Sequence, residues 1–177
     1  YVLIHKPDSQ YVLSGYAGLE LPTGEDEVFQ GTGDGSLNLI LSELKLYVDW
    51  QFTGALGIHL PFNDDVESTT GFLSAHAGYN LTDRIYPLVE LNCYHVFSEG
   101  DGGERFSKQV GGAVPSVVRF EGGDLLNLGA SHAKDNATAV TMGCGFRYKC
   151  TQSVDFGLAY EFPLTNEKDG LMKNRLT

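Results

Sequence analysis

The sequence predicts an all-β protein, an antiparallel up-and-down barrel occupying 1–177 as a single domain. Three observations carry that prediction: apolar and polar residues alternate strictly over five segments, the connections between segments alternate in length, and the composition suits strands. Of 177 residues, 22 are Gly, 10 Phe and 9 Tyr, against two Met and one Trp. Aromatic residues pack well on a pleated surface, and Gly serves turns and close strand approaches.

The alternation identifies the strands. In Tyr47–Leu60 one face reads Val48, Trp50, Phe52, Gly54, Leu56, Ile58, Leu60; the other reads Tyr47, Asp49, Gln51, Thr53, Ala55, Gly57, His59. Successive side chains of a strand point to opposite faces, so one face is apolar and the other polar. Four further segments repeat the pattern, with apolar faces Leu73 to Tyr79, Ile85 to Phe97, Val140 to Tyr148 and Val154 to Phe162. No Asp, Glu, Lys or Arg falls on any of these five apolar faces. Weaker strands are expected at 1–5, 11–22, 36–43, 112–120 and 124–132, with another beginning near 173. That makes about ten strands and no helix.

Bulk properties exclude several classes. The formal net charge of −11 argues against a nucleic-acid partner, whose phosphates demand a basic surface. No apolar run is long enough for a transmembrane helix, and no signal peptide begins at Tyr1. Cys93, Cys144 and Cys150 lack metal-ligand spacing. Cys144 and Cys150 are expected at opposite ends of one strand, too far apart for a disulfide, which leaves the cysteines as small apolar fillers.

Alternation alone does not say which face points inward, and a lipocalin-like soluble barrel would turn the apolar face in. Three features favour lipid outside and a bacterial outer-membrane location. The polar faces are rich in Gly, Ala, Ser and Thr rather than the Lys and Glu of a solvated strand. Aromatics cluster at strand ends, with Tyr79 and Tyr148 before tight turns and Phe97 and Phe162 at the opposite ends. Short connections at Lys6–Gln10, Glu43–Lys45, Leu81–Arg84, Glu121–Gly123 and Cys150–Ser153 alternate with longer ones at 23–35, 62–69, 98–111, 133–137 and 165–171. Aromatic girdles, with short turns on one side and long loops on the other, are the pattern of transmembrane β-barrels. The strand beginning near Arg175 runs toward the short-turn side and stops at Thr177. The chain therefore reads as a piece of a longer barrel, incomplete at both ends.

Short motifs add a family resemblance. Leu21-Pro22-Thr23-Gly24, then Gly31-Thr32-Gly33 leading into Leu37, resembles the outer-membrane family of MetA-pathway phenol-degradation proteins. So do Pro87-Leu88-Val89-Glu90-Leu91-Asn92 and Ala159-Tyr160-Glu161-Phe162-Pro163-Leu164. The resemblance implies a membrane barrel in contact with outer-membrane lipid, passing small hydrophobic or aromatic solutes without catalytic residues or a cofactor.

The polar faces supply the lumen-lining candidates: Asp49, Gln51, His59, His76, Glu90, Asn92, Arg147, Lys149, Asp155 and Glu161. Two roles compete for them, a solute path and a plugged, ion-paired interior that only stabilises the barrel. His59, His76 and His95 lie on different strands, with His95 facing opposite to the other two, which argues against a metal site. Ser131–His132 is the one adjacent Ser–His pair an acyl-hydrolase could use. Asp34-Gly35, Asp64-Asp65 and Asp101-Gly102-Gly103 lack the carboxylate spacing of a Ca²⁺ loop. The long loops hold 13 of the 23 acidic residues against four basic ones, a bias that favours neutral or cationic solutes.

Overall fold

The computed structural model describes residues 1–23, 35–64, 68–98, 136–165 and 174–176. They form one antiparallel sheet whose strands lie side by side in chain order. The strands are β1 (Val2–Lys6), β2 (Tyr11–Glu20), β3 (Ser36–Tyr47), β4 (Trp50–Pro61), β5 (Thr69–Tyr79), β6 (Ile85–Ser98), β7 (Thr138–Lys149), β8 (Asp155–Pro163) and β9 (Arg175–Leu176). The only helical piece among the described residues is a 3-10 turn, Pro7–Ser9, between β1 and β2. Connections at 7–10, 48–49, 80–84 and 150–154 lie at one end of the sheet; those at 21–35, 62–68, 99–137 and 164–174 lie at the other. The alternation of short and long connections is therefore real.

One expectation needs correction. Glu43–Lys45 is not a turn but lies inside β3, and the reversal comes at Val48 and Asp49, so Tyr47–Leu60 is the end of one strand and most of the next. The strands expected at 112–120 and 124–132, and the turn Glu121–Gly123, lie outside the described residues. The described strands on either side, β6 and β7, pair directly from Ile85↔Tyr148 to His95↔Thr138. Adding or omitting two strands preserves direction, so every later strand still runs as expected.

The ladders show which side chains share a face, because directly paired residues of neighbouring strands project to the same side. Leu41↔Leu56, Leu56↔Leu73, Leu73↔Cys93, Cys93↔Val140 and Phe146↔Leu158 run together as an apolar face. Ser42↔Ala55, Ala55↔Ser74, Ser74↔Asn92 and Asn92↔Thr141 run along the opposite, polar face. Exposure is inverted relative to a protein with an oily core. Leu56 is 52%, Leu73 54% and Phe156 55% exposed, whereas Ser36, Asn92 and Thr141 on the polar face are 1%, 7% and 3% exposed.

The apolar face ends in aromatic residues at the short-turn side. Trp50 stacks on Phe52 with ring centroids 5.7 Å apart and lies 4.8 Å from the Tyr79 ring. Glu43 and Lys45 also fall on this face through the pairs Glu43↔Gly54 and Lys45↔Phe52. The Tyr11 hydroxyl donates to Glu43 at 3.2 Å, and the Lys45 ammonium donates to the Ser9 carbonyl. Both charged groups are thus held near the rim of the apolar band.

The β3–β4 hairpin is strained at one residue. Val48 has φ 54°, a left-handed conformation that a β-branched side chain seldom adopts. Replacing Val48 with Asn, which tolerates that region, should stabilise the protein by about 1 kcal/mol. Urea unfolding of Val48→Asn in detergent micelles checks this; a midpoint equal to or below that of the native chain would remove the strain argument.

Candidate functional site

Side chains on the polar face fall into transverse rows, each one pairing step deep. One row runs Val12, Leu44, Thr53, His76, Glu90, Gly143, Glu161, Arg175 from β2 to β9. The next, toward the long loops, runs Ser14, Ser42, Ala55, Ser74, Asn92, Thr141, Pro163. Beyond it lie Tyr16, Ile40, Gly57, Phe72, Tyr94 and Ala139. This third row forms an aromatic shelf. The Phe72 and Tyr94 rings stand 6.2 Å apart, and Phe72 lies over Gly57, where any side chain would collide with the ring.

Much of this face is hydrogen-bonded to itself. Asn92 accepts from Ser74 Oγ at 2.6 Å and donates to Glu90 at 2.9 Å. The His76 Nδ1 atom stands 3.8 Å from Glu90 Oε2. Thr141 Oγ1 donates to Glu161 at 2.6 Å, and Arg175 pairs with the other oxygen of Glu161 at 2.6 Å. Near the long loops, Ser36 donates to Glu20 at 3.2 Å, and His59 Nδ1 bonds Asn38 Oδ1 at 2.9 Å. Pairing to a hydrogen-bond partner is what lets groups as sheltered as Asn92 and Thr141 remain polar.

A hollow of about 630 Å³ opens on this face over β2 to β7, within the size range of small-molecule sites. Of the lumen-lining candidates, Gln51, His76, Glu90 and Arg147 line it. Asn92 and Glu161 extend its rows sideways, and His59 sits nearer the long loops. Asp155 pairs with Lys149 across β7 and β8 at the short-turn rim. Asp49 is an exposed residue of the Tyr47–Trp50 turn rather than a strand residue, which corrects its placement inside the lumen. Ser14, Ser42 and Thr53 also line the hollow; small polar residues on strands look generic until the register sets them side by side.

The remaining candidates are dispersed. His95 lies on the apolar face, bonded to Thr138 Oγ1 at 2.8 Å and packed edge-on against Phe97, away from His59 and His76. Among the described residues no three His, Cys, Asp or Glu side chains gather as metal ligands. Ser131–His132, Asp34, Asp65 and Asp101-Gly102-Gly103 lie outside the described residues. The three cysteines are free; Cys144 sits in mid-strand rather than at a strand end. The apolar face carries a larger hollow of about 1040 Å³, walled by Leu39, Leu41, Leu56, Ile58, Leu73 and Phe97 among others. No protein-family model, curated protein or solved structure matches the chain.

Asn92 joins the hydroxyl row to the charged row. Asn92→Ala would leave the Ser74 hydroxyl and one Glu90 oxygen without their partner, and should cost about 1–3 kcal/mol. Ser74→Ala in the same background should add little, because the bond it would break is already gone. Additive losses in a double-mutant cycle of unfolding free energies would show that the two side chains are not coupled.

Proposed function

We propose that this chain is part of a bacterial outer-membrane β-barrel that offers small solutes a passive path along its polar face. The carrying observation is the inversion of exposure, with Leu, Phe and Tyr outward and Ser, Asn and Thr sheltered. In water, a contiguous apolar face of this extent would be an aggregation surface; against hydrocarbon it is the expected exterior of a strand-built membrane protein. Supporting features are the aromatic rim at Trp50, Phe52 and Tyr79 and the confinement of short turns to one end. The motif resemblance to the phenol-degradation family points to hydrophobic or aromatic solutes, and the Phe72–Tyr94 shelf supplies a surface for a planar ring.

A second reading has its own observation. The hollow of about 1040 Å³ on the apolar face would serve a soluble β-barrel that curls around that face and binds an apolar ligand. Detergent separates the two: a full-length protein that stays monodisperse without it excludes the membrane reading.

The face assignment is tested by paired substitutions. Leu56→Arg places a cation in the apolar band and should cost roughly 2–4 kcal/mol if that band lies in the bilayer. Gln51→Arg, facing the polar hollow, should assemble nearly normally. Heat-modifiability on gels after outer-membrane extraction reads both, and equal damage would mean the faces are reversed.

Charge selectivity tests the path. Glu90 and Glu43 share the hollow with Arg147, so Glu90→Gln removes one of two carboxylates and should lower the K⁺/Cl⁻ permeability ratio in planar bilayers. Glu161→Gln should change it less, because Arg175 already offsets that carboxylate. Both effects should shrink at 1 M salt, where the Debye length is about 3 Å. An unchanged ratio in Glu90→Gln would remove this carboxylate from the path, and absence of conductance in the native protein would favour a plugged interior.

A further inference from the structure

We infer that the polar hollow receives a small, uncharged, hydroxyl-bearing solute, a polyol or sugar alcohol, gripped on its β2–β4 side. The inference rests on the passive-path reading and departs from the motif resemblance in the solute it assigns, because the hollow is lined by Ser14, Ser42, Gln51 and Thr53 and not by the Phe72–Tyr94 shelf.

The two sides of the polar face differ in what they leave free. From β5 to β9 the polar groups other than Arg147 are largely bonded to one another, in the chain Ser74–Asn92–Glu90 and the cluster Thr141–Glu161–Arg175. Those carboxylates have partners inside the chain and act on a solute mainly through their field. On β2 to β4 the pairs Glu20–Ser36 and Asn38–His59 lie nearer the long loops, but the side chains of Ser14, Ser42, Gln51 and Thr53, which line the hollow, make no hydrogen bond to the described residues. Their donors and acceptors are left for water or a solute.

The spacing of these groups gives the class. Ser14↔Ser42 are direct partners across β2 and β3, and Thr53 is paired with Leu44, itself paired with Val12. A row of hydroxyls thus runs beside a row of aliphatic side chains, one pairing step apart. Neighbouring strands stand about 4.8 Å apart, a span that hydroxyls several carbons apart on one extended polyol chain can bridge, whereas a single hydroxyl cannot. Hydroxyl groups can both donate and accept, so the row suits a partner that also does both. The aliphatic row offers Val12 and Leu44 to the carbon skeleton. Charge argues in the same direction. The charged residues lining the hollow, Glu43, Glu90 and Arg147, are of both signs, so neither an anion nor a cation meets a uniformly attractive field.

The test uses full-length protein in phosphatidylethanolamine–phosphatidylglycerol vesicles, with three probes on one carbon skeleton: sorbitol, gluconate and protonated glucamine. Uptake is read by osmotic swelling, and K⁺ conductance is recorded on the same preparation. Sorbitol should enter several-fold faster than either ion. Ser42→Ala with Thr53→Val should slow sorbitol about three- to tenfold, the weight of one or two lost hydrogen bonds, while K⁺ conductance stays within about twofold, since K⁺ needs no such contacts. Thr53→Ser, which keeps the hydroxyl, should behave like the native protein and controls for misfolding. Equal uptake of the three probes, or fastest uptake of an ion, in vesicles that conduct would overturn the solute class and leave the path standing. So would a double variant that slows sorbitol and K⁺ alike, because those side chains would then set only the bore. Inserted protein that conducts nothing would overturn the path and this inference with it.

Discussion

Strand register is the constraint on which everything else in this sheet depends. Side chains alternate with period two, so a slip of one residue in any ladder would carry a whole strand's apolar set to the other face. Eight consecutive antiparallel ladders hold the faces apart, with irregularities only between Val2 and Ile4 and between Thr69 and Thr70. Both lie near strand ends, where a shift disturbs few pairs. The polar contacts follow from the same register. Glu20 and Ser36, Asn38 and His59, Ser74 and Asn92, His76 and Glu90, and Glu161 and Arg175 are each direct ladder partners. Backbone pairing therefore assembles the polar face, and the side-chain bonds penalise any slipped alternative. That second role fits the modest net worth of a hydrogen bond and the larger cost of stranding its groups.

What could be read from the sequence was whatever depends on period two within one strand. The faces of β5 to β8 could be named residue by residue because each alternates cleanly between turns. The β3–β4 reversal was hidden for a physical reason. Val48 and Asp49 continue the apolar–polar alternation through the turn, and neither has the Gly or Asn character that marks a tight reversal. Glu43 and Lys45 misled in the opposite sense. Charged residues resemble a connection, yet Tyr11 and Ser9 hold them at the edge of an otherwise apolar face. What one sequence could not supply was the pairing of strands distant along the chain. The partnership of β6 with β7 spans residues 99–137, and no local pattern announces it. The same limit hid the hollow, since Gln51, His76 and Glu90 could be given a face but not a common row.

The polar face shows a trade between stability and availability. Glu161, a sheltered acid, and Glu90, a half-exposed one, lie on either side of Gly143, which brings no side chain between them. Left bare, two such carboxylates would repel each other and pay for lost hydration. Asn92, on the same strand as Glu90, and Thr141 and Arg175, on the strands flanking Glu161, meet that demand and are committed by it. The β2–β4 side carries uncharged hydroxyls that cost far less to leave open. A solute path through this face would accordingly run where the polar groups are cheap to leave unsatisfied, and the charged side would frame it.

The apolar face is the harder energetic problem, and its solution bears on the whole molecule. Exposed Leu39, Leu41, Leu56, Leu73 and Leu91 adjoin one another across β3 to β6, so they form a continuous patch rather than scattered surface residues. Burial against any apolar phase is worth about 25 cal/mol per Å², which makes an uncovered patch of this extent untenable in water. Covering it by curling the sheet around it would push Asn92, Thr141 and Ser36, now at most 7% exposed, toward the convex side, where their mutual hydrogen bonds compete with water and stabilise little. Covering it with hydrocarbon, as in the proposed barrel, would keep the polar face inward and those bonds sheltered, and would put Trp50, Phe52 and Tyr79 where an aromatic side chain with one wet edge is most stable. The second arrangement satisfies both faces at once, and for that reason it is the one on which the proposed path is built.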